Sequence, residues 1–158
     1  MNKKLHPSLL ELWNYFMLCN QEHKNTPIPE SYYFCDNEKD ANTCAQLVLD
    51  GVKRATSTSM WWFETYKQPL PKIGDLAIVT DWDGIAKAVI ETVKIEMTPF
   101  NKVTAEYAKI EGEGDKSLAY WNKVHWDYYS REMMKRGEQP SEDMVLVCEY
   151  FRTVCIKD

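Results

Sequence analysis

Residues 51–59 read GVKRATSTS, and they separate a helical pattern from a cluster of aromatic residues. The helix is predicted over residues 38–49, where the apolar residues fall on one face, at Ala41, Cys44, Ala45 and Val48. Gly51 follows this helix closely, in a position where glycine commonly ends a helix in the left-handed conformation. The chain is therefore expected to turn sharply at Gly51 before it enters the small, hydroxylated residues 55–59.

Helical and strand patterns both occur in the rest of the chain. Residues 8–19 predict an amphipathic N-terminal helix. The dipeptide Asp83-Gly84, between two β-branched runs, predicts a hairpin. The helix predicted over 117–136 is the longest, and a last strand over 144–156 is long enough to lie inside a sheet. No repeat or linker divides the chain, so we expect one α+β domain spanning 1–158.

The composition is that of a globular protein with an acidic balance. With a net charge of −5 over 158 residues, the chain has no overall attraction for nucleic acid, which favours a small ligand and argues against DNA. Five cysteines without a C-x-x-C spacing, and an N-terminus without a signal-peptide pattern, predict a cytoplasmic protein with reduced thiols. No apolar run is long enough to span a membrane, so no membrane partner is expected.

Lys53 and Thr56 lie three residues apart, a spacing that lets their side chains converge in a turn. A threonine hydroxyl becomes a nucleophile only when a base within about 2.6–3.2 Å takes its proton. Lys53 can be that base only when neutral, and lowering its pKa from about 10.4 to about 7.4 costs roughly 4 kcal/mol. Repulsion from Arg54 and partial burial would both lower this pKa. A cationic turn with solvated hydroxyl groups explains the same residues.

Glu111 lies in the segment IEGEGD, where three carboxylates alternate with two glycines. The glycines permit unusual backbone geometry, which could hold one carboxylate close to a substrate or to Lys53. A solvated connecting loop is the alternative. The segment lacks the ligand register of an EF-hand, and the three histidines lie in a terminus, a loop and a helix. We therefore predict no metal site and no cofactor.

Trp121 and His125 are four residues apart on the longest predicted helix, so they face the same side. Their rings, and those of residues 61–63, could stack on a nucleobase. A packed aromatic core explains the same residues, and a lone histidine on an apolar face is more often a hydrogen-bonded core residue than a catalyst.

Residues 51–57, GVKRATS, the hairpin that follows, and residues 108–125, AKIEGEGDKSLAYWNKVH, together resemble the ASCH domain family. The resemblance extends from about residue 32 to residue 156. It rests on the G-x-K-x-x-T-S signature and on the EGEGD-x-S-L-x-x-W-x-x-x-H segment. It implies a PUA-like small β-barrel flanked by helices, to which the helix at about 8–19 is an addition.

The resemblance also implies a function. One bacterial branch is similar to an amidohydrolase that removes the acetyl group of N(4)-acetylcytidine, and its catalytic lysine, threonine and glutamate fall here on Lys53, Thr56 and Glu111. The expected reaction is hydrolysis of an acylated nucleoside, with Thr56 as the nucleophile and Lys53 and Glu111 as acid and base. The residues predicted to bind the substrate are Gly51, Arg54, Ser57, Trp121 and His125.

Two alternatives to the hydrolase stay open at this point. Other members of the family resemble modules that bind or cleave single-stranded RNA, which would use Lys53, Arg54 and Lys123 to contact phosphate. A third interpretation is a domain that binds a nucleotide or RNA without turnover. The formation of a homodimer also stays open.

Overall fold

Five strands form one sheet in the computed structural model, which describes residues 4–156. Along the sheet the order is β1-β3-β4-β5-β2, and β1 runs parallel to β3 whereas the other neighbours are antiparallel. The strands are β1 Ser31–Tyr32, β2 Ala55–Ser59, β3 Leu76–Thr80, β4 Ala86–Pro99 and β5 Val145–Ile156.

The sheet is open, which corrects the expected small β-barrel. Within residues 4–156 the two edge strands, β1 and β2, pair only with β3 and β5 and not with each other. A barrel closes only when its edge strands exchange backbone hydrogen bonds, and β1 has just two residues to offer. The α+β class is confirmed.

Helices surround the sheet, and side-chain caps start several of them. Their bounds are α1 Pro7–Cys19, α2 Glu38–Leu49, α3 Met60–Thr65, α4 Ala105–Glu111 and α5 Leu118–Met134, with short 3₁₀ turns at Gln21–His23 and Phe100–Lys102. Thr104 and Ser117 accept backbone N–H bonds at the starts of α4 and α5. The predicted helices at 8–19 and 38–49 are confirmed, and so is the stop at Gly51, whose φ is 72°.

The predicted hairpin and the interior position of the last strand are also confirmed. β3 and β4 pair antiparallel around a loop in which Gly84 has a φ of 83°. β5 pairs with β4 on one side and with β2 on the other. The long pairing of β4 with β5 is interrupted by two register shifts, which mark bulges that bend the strands.

Apolar side chains cover both faces of the sheet, because successive residues of a strand point to opposite faces. Ile78 packs with α1, whereas Ala77 and Val79 pack with α2. A third cluster packs α4 and α5 against β2 and β5 and includes Ala55 and Leu146. No helix in the described part of the chain has the length and apolarity needed to cross a membrane. This arrangement leaves room for a cavity beside the segment that precedes α2.

Candidate functional site

A cavity of about 490 Å³ opens beside β2, between the segment before α2 and helix α5. Its volume lies within the range of about 300–1,000 Å³ that is usual for small-ligand sites. The ring-bearing side chains in its wall are Tyr32, Tyr33, Phe34, Trp62, Phe63, His125 and Tyr128. Thr56, Ser57 and Thr58 of β2 contribute hydroxyl groups, and no residue of α1 lies among the lining residues.

A buried cation lies against this cavity. Lys53 is 1% exposed, and its Nζ donates to the main-chain oxygen of Ala55 at 2.9 Å and to Oε1 of Glu113 at 3.0 Å. Oε2 of Glu111, also 1% exposed, is 3.8 Å from the same Nζ. The ammonium group also lies 4.8 Å from the centre of the Phe34 ring, within cation–π range. Two carboxylates therefore compensate one charge that has no access to solvent.

The turn after α4 brings both carboxylates to Lys53. Gly112 ends α4 in the left-handed conformation, with a φ of 74°. A Cβ at Gly112 would lie 2.8 Å from the main-chain oxygen of Val52, so the two loops approach as closely as glycine allows. The backbone N–H of Arg54 donates to the oxygen of Ile110 at 2.9 Å and joins the same loops. The close approach of the two loops therefore requires glycine at position 112.

His125 completes the charged cluster from α5. Its Nδ1 donates to the main-chain oxygen of Trp121 at 2.9 Å, because that carbonyl can only accept. Its Nε2 lies 3.0 Å from Oε2 of Glu111 and 4.0 Å from Oε2 of Glu113. A bond from Nε2 to the ionised Glu111 gives the ring protons on both nitrogens. The geometry is therefore that of an imidazolium paired with a carboxylate.

The pKa values of these groups move in the directions that ion pairing requires. Burial by itself would raise the pKa of Glu111, but His125 and then Lys53 outweigh it and hold this pKa at about 2. Burial would lower the pKa of His125, and the Glu111 carboxylate instead raises it above its ordinary value. Burial would also lower the pKa of Lys53, but Glu113 and Glu111 raise it. The pairing therefore favours the charged forms of Glu111, His125 and Lys53.

This cluster should give the protein a stability maximum in weakly acidic solution. Glu111 has a lowered pKa in the folded state, so its contribution is present above about pH 4.5 and is lost as the pH falls towards 2. His125 has a raised pKa, so its contribution is present below about pH 6.5 and is lost as the pH rises through the folded value. We expect urea unfolding to give the largest free energy between about pH 5 and 6.

The variant His125→Asn should remove most of the decline in unfolding free energy between about pH 6 and 8. A wild-type free energy of unfolding that increases over that interval would contradict the pairing of His125 with Glu111.

The structure brings together most of the residues predicted from sequence, but not all of them. Thr56, Ser57, Glu111 and His125 line the cavity. Lys53 lies behind the wall and contacts it through Glu111 and Glu113. The other three predicted binding residues are outside the cavity lining: Gly51, Arg54 and Trp121.

Two of these three residues are exposed to solvent, and the third is buried in the core. Gly51 and Arg54 are exposed on the loop that leaves α2. Trp121 is 2% exposed and packs between the rings of His125, Phe100 and Tyr107, so its role in holding a base is not supported. Its ring is stacked on His125 at 4.1 Å and fixes the orientation of the imidazole. The core interpretation therefore holds for Trp121, whereas His125 reaches the cavity.

The surroundings of Lys53 do not favour the neutral form that a base would need. A lysine base needs a lowered pKa, whereas the carboxylates of Glu113 and Glu111 raise the pKa of Lys53. The sequence shows Glu111 and Glu113 nearly sixty residues away, so their approach to Lys53 is visible only in the fold.

Sequence reasoning also missed functional candidates. Glu113 was one of three alternating carboxylates and had no assigned role, yet it is the closest ion-pair partner of Lys53. Tyr129 lies one turn after His125, and its hydroxyl donates to Ser57 at 3.1 Å. The i+4 spacing of Trp121, His125 and Tyr129 was a usable signal for Tyr129.

Comparisons with known proteins agree with this architecture. The family model described as the ASCH domain matches residues 30–155. The chain is similar to the crystal structure of an ASCH domain from Lactobacillus crispatus JV V101, with 33% identity, a TM-score of 0.89 and 98% of each chain covered. It is also similar to the crystal structure of a protein from Enterococcus faecalis V583, with 30% identity, a TM-score of 0.85, and 94% of this chain and 89% of that chain covered.

A search of curated proteins gives no significant match. The family match covers well over half of the chain, and two solved structures align over most of its length with at least 30% identity. The chain therefore belongs to the ASCH domain family.

Proposed function

We propose that the protein hydrolyses the amide bond of an uncharged acylated nucleoside, of which N(4)-acetylcytidine is the model substrate. The observation that carries the proposal is one cavity that combines ring surfaces, the Thr56 residue and the His125–Glu111 pair. Aromatic faces stack on a nucleobase at about 1–3 kcal/mol per base. A hydroxyl and a titratable pair that line the same cavity are the groups that acyl transfer requires.

The charge of the cavity wall selects against phosphorylated ligands. Among the described residues that line it, two cations, the Arg131 guanidinium and the His125 imidazolium, stand against eight carboxyl groups, those of Glu30, Asp36, Asp40, Asp75, Glu111, Glu113, Glu132 and Glu149. A nucleic-acid site would instead present lysines and arginines to the phosphates. The cavity therefore suits a nucleoside better than a nucleotide or an RNA strand, and RNA binding elsewhere on the molecule stays a prediction that salt-dependent affinity would test.

In the proposed reaction the oxygen of Thr56 forms a bond to the acetyl carbonyl carbon, and the bond from that carbon to the exocyclic nitrogen breaks. The hydroxyl proton passes through the His125–Glu111 pair to the departing amine, which leaves as cytidine. Water then attacks the acetyl ester of Thr56 and releases acetate, returning a proton to the hydroxyl group. Lys53 takes no proton and pairs with the carboxylates of Glu111 and Glu113.

One oxygen of the Glu111 carboxylate lies outside the ion pairs with His125 and Lys53. Within residues 4–156, Oε1 of Glu111 is buried and has no hydrogen-bond partner, whereas Oε2 pairs with His125. A buried acceptor without a donor costs free energy that a bound ligand or water would recover. Glu111 lines the cavity, so we assign its carboxylate as the acceptor for the reacting hydroxyl or water.

The test is to incubate the purified protein with N(4)-acetylcytidine and to follow the release of cytidine and acetate in equal amounts. The matched control is N(4)-acetylcytidine 5′-monophosphate, which differs only by the phosphate. We expect its kcat/KM to be at least about tenfold lower, because the wall is acidic. Cytidine release no faster than in buffer would refute the proposed activity, and faster turnover of the monophosphate would refute the assigned basis of selectivity.

A further inference from the structure

We propose that Cys35, Cys44 and Glu113 form a binding site for Zn²⁺ at the edge of the cavity. The proposal rests on this cluster alone and is independent of the hydrolase activity. The ligand atoms of the three residues lie within 4.8 Å of one another. Thiolate and carboxylate ligands are both usual for zinc in proteins.

The distances within the cluster fit the edges of a tetrahedron around zinc. The two sulfur atoms are 3.6 Å apart, and Sγ of Cys44 is 3.3 Å from Oε1 of Glu113. With Zn–S bonds of about 2.3 Å and a Zn–O bond of about 2.1 Å, tetrahedral geometry gives an S–S edge of about 3.8 Å and an S–O edge of about 3.6 Å. Two of the three edges are therefore within a few tenths of an ångström of those of a zinc site, and the third is no longer than 4.8 Å.

Three different segments hold the ligands, so the cluster is not a chance pair on one helix. Cys44 lies on α2 and is buried, and Glu113 follows the fixed turn at Gly112. Cys35 lies just before α2 and has a φ of 69°, in the left-handed region that residues other than glycine seldom adopt. Such a backbone conformation is often retained where a side chain must be aimed at a site.

The cluster leaves one coordination position that faces the cavity. Cys35 and Glu113 line the cavity, whereas Cys44 lies behind them. Three protein ligands and an open fourth position are the arrangement that lets zinc bind water or a ligand.

The charges around the cluster balance when zinc is bound. Two thiolates and one carboxylate around a divalent ion leave a single negative charge, and the Lys53 ammonium 3.0 Å from Oε1 of Glu113 compensates it. Soft thiolate ligands favour zinc over Mg²⁺ or Ca²⁺.

The neighbouring group of Glu111, Glu113 and His125 is a weaker candidate. Its ligand atoms are also within 4.8 Å of one another, but Oε2 of Glu111 already pairs with both His125 and Lys53. A divalent ion would have to displace the pairing of Glu111 with His125, without thiolates to offset the added charge.

The experiment titrates Co²⁺, a spectroscopic substitute for zinc, into the full chain in the presence of a phosphine reductant, with no substrate present. We expect one equivalent to give thiolate-to-cobalt charge-transfer absorption and the intense visible bands of four-coordinate cobalt, and Zn²⁺ to abolish both. The variant Cys35→Ser should bind at least about 100-fold more weakly and lose about half of the charge-transfer intensity. Glu113→Gln should bind more weakly but keep the intensity of two thiolates.

Cys19→Ser is the matched control, because it removes one thiol that is exposed on α1 and outside the cluster. It should leave the cobalt spectrum and affinity unchanged. Circular dichroism and the urea midpoint verify that each variant is folded. A cobalt spectrum without thiolate charge transfer, or a folded Cys35→Ser variant that binds as tightly as the wild type, would overturn the proposal.

Discussion

The variant Thr56→Ala is expected to lower kcat/KM for N(4)-acetylcytidine by at least about 10³-fold, because removing a covalent nucleophile leaves only binding and electrostatic stabilisation. Thr56 lies on β2 in the cavity wall, and its main-chain oxygen accepts a bond from the Tyr107 hydroxyl at 3.0 Å. The alanine variant keeps that main-chain bond, so the loss should come from the hydroxyl. Steady-state cytidine release measures it.

Thr58→Ala provides the matched control. Thr58 lies two residues further along β2, lines the same cavity and presents the same side chain, but it has no proposed chemical role. We expect its kcat/KM to stay within about threefold of the wild type. Quenched samples of the wild type should also contain protein carrying one acetyl group, located on Thr56 by peptide mass spectrometry. Wild-type turnover by Thr56→Ala would mean that water attacks the amide directly.

The variant Lys53→Met is expected to reduce the free energy of unfolding by about 3–5 kcal/mol, because it removes the cation shared by the buried Glu111 and the partly buried Glu113. Glu111 is as buried as Lys53, and Glu113 is 13% exposed. Methionine fills a similar volume, so the effect reports charge rather than a cavity. Urea unfolding at about pH 6 measures the difference.

Lys87→Met is the control for the loss of a lysine ion pair. Lys87 contacts Asp81 at 3.3 Å, but its side chain is 33% exposed, and exposed pairs contribute about 0–1 kcal/mol. We therefore expect a change of less than about 1 kcal/mol for Lys87→Met. If Lys53→Met cost no more than this control, the ion pairs of Lys53 would not contribute to stability.

The elements that local rules determine were predictable from the sequence. Residues close by in the sequence were enough to predict three features: the stop at Gly51, the Asp83-Gly84 hairpin and the helix over 38–49. Closure of the sheet was not predictable in this way, because it depends on whether two edge strands far apart in sequence meet. The family resemblance implied a barrel, and the short β1 leaves the sheet open.

For the site, too, the sequence predicted relations between nearby residues but not the contacts between distant segments. The spacing of Trp121 and His125 predicted a shared face, but only the packing of α5 separates the buried ring from the one that reaches the cavity. Cys35 and Cys44 are nine residues apart and match no metal-binding spacing, yet the turn before α2 brings their sulfurs together. Charge compensation of Lys53 likewise depends on a loop sixty positions away.

Helix α1 lies outside the region that matches the family, which begins at residue 30, but it is part of the folding unit. Its Leu9, Leu12, Trp13 and Phe16 cover the sheet face formed in part by Ile78, Ala86 and Val89. A fragment cut at the family boundary would expose this apolar face to water, and exposed apolar patches promote self-association. A fragment that keeps this face covered must therefore begin before residue 30, where the family match begins.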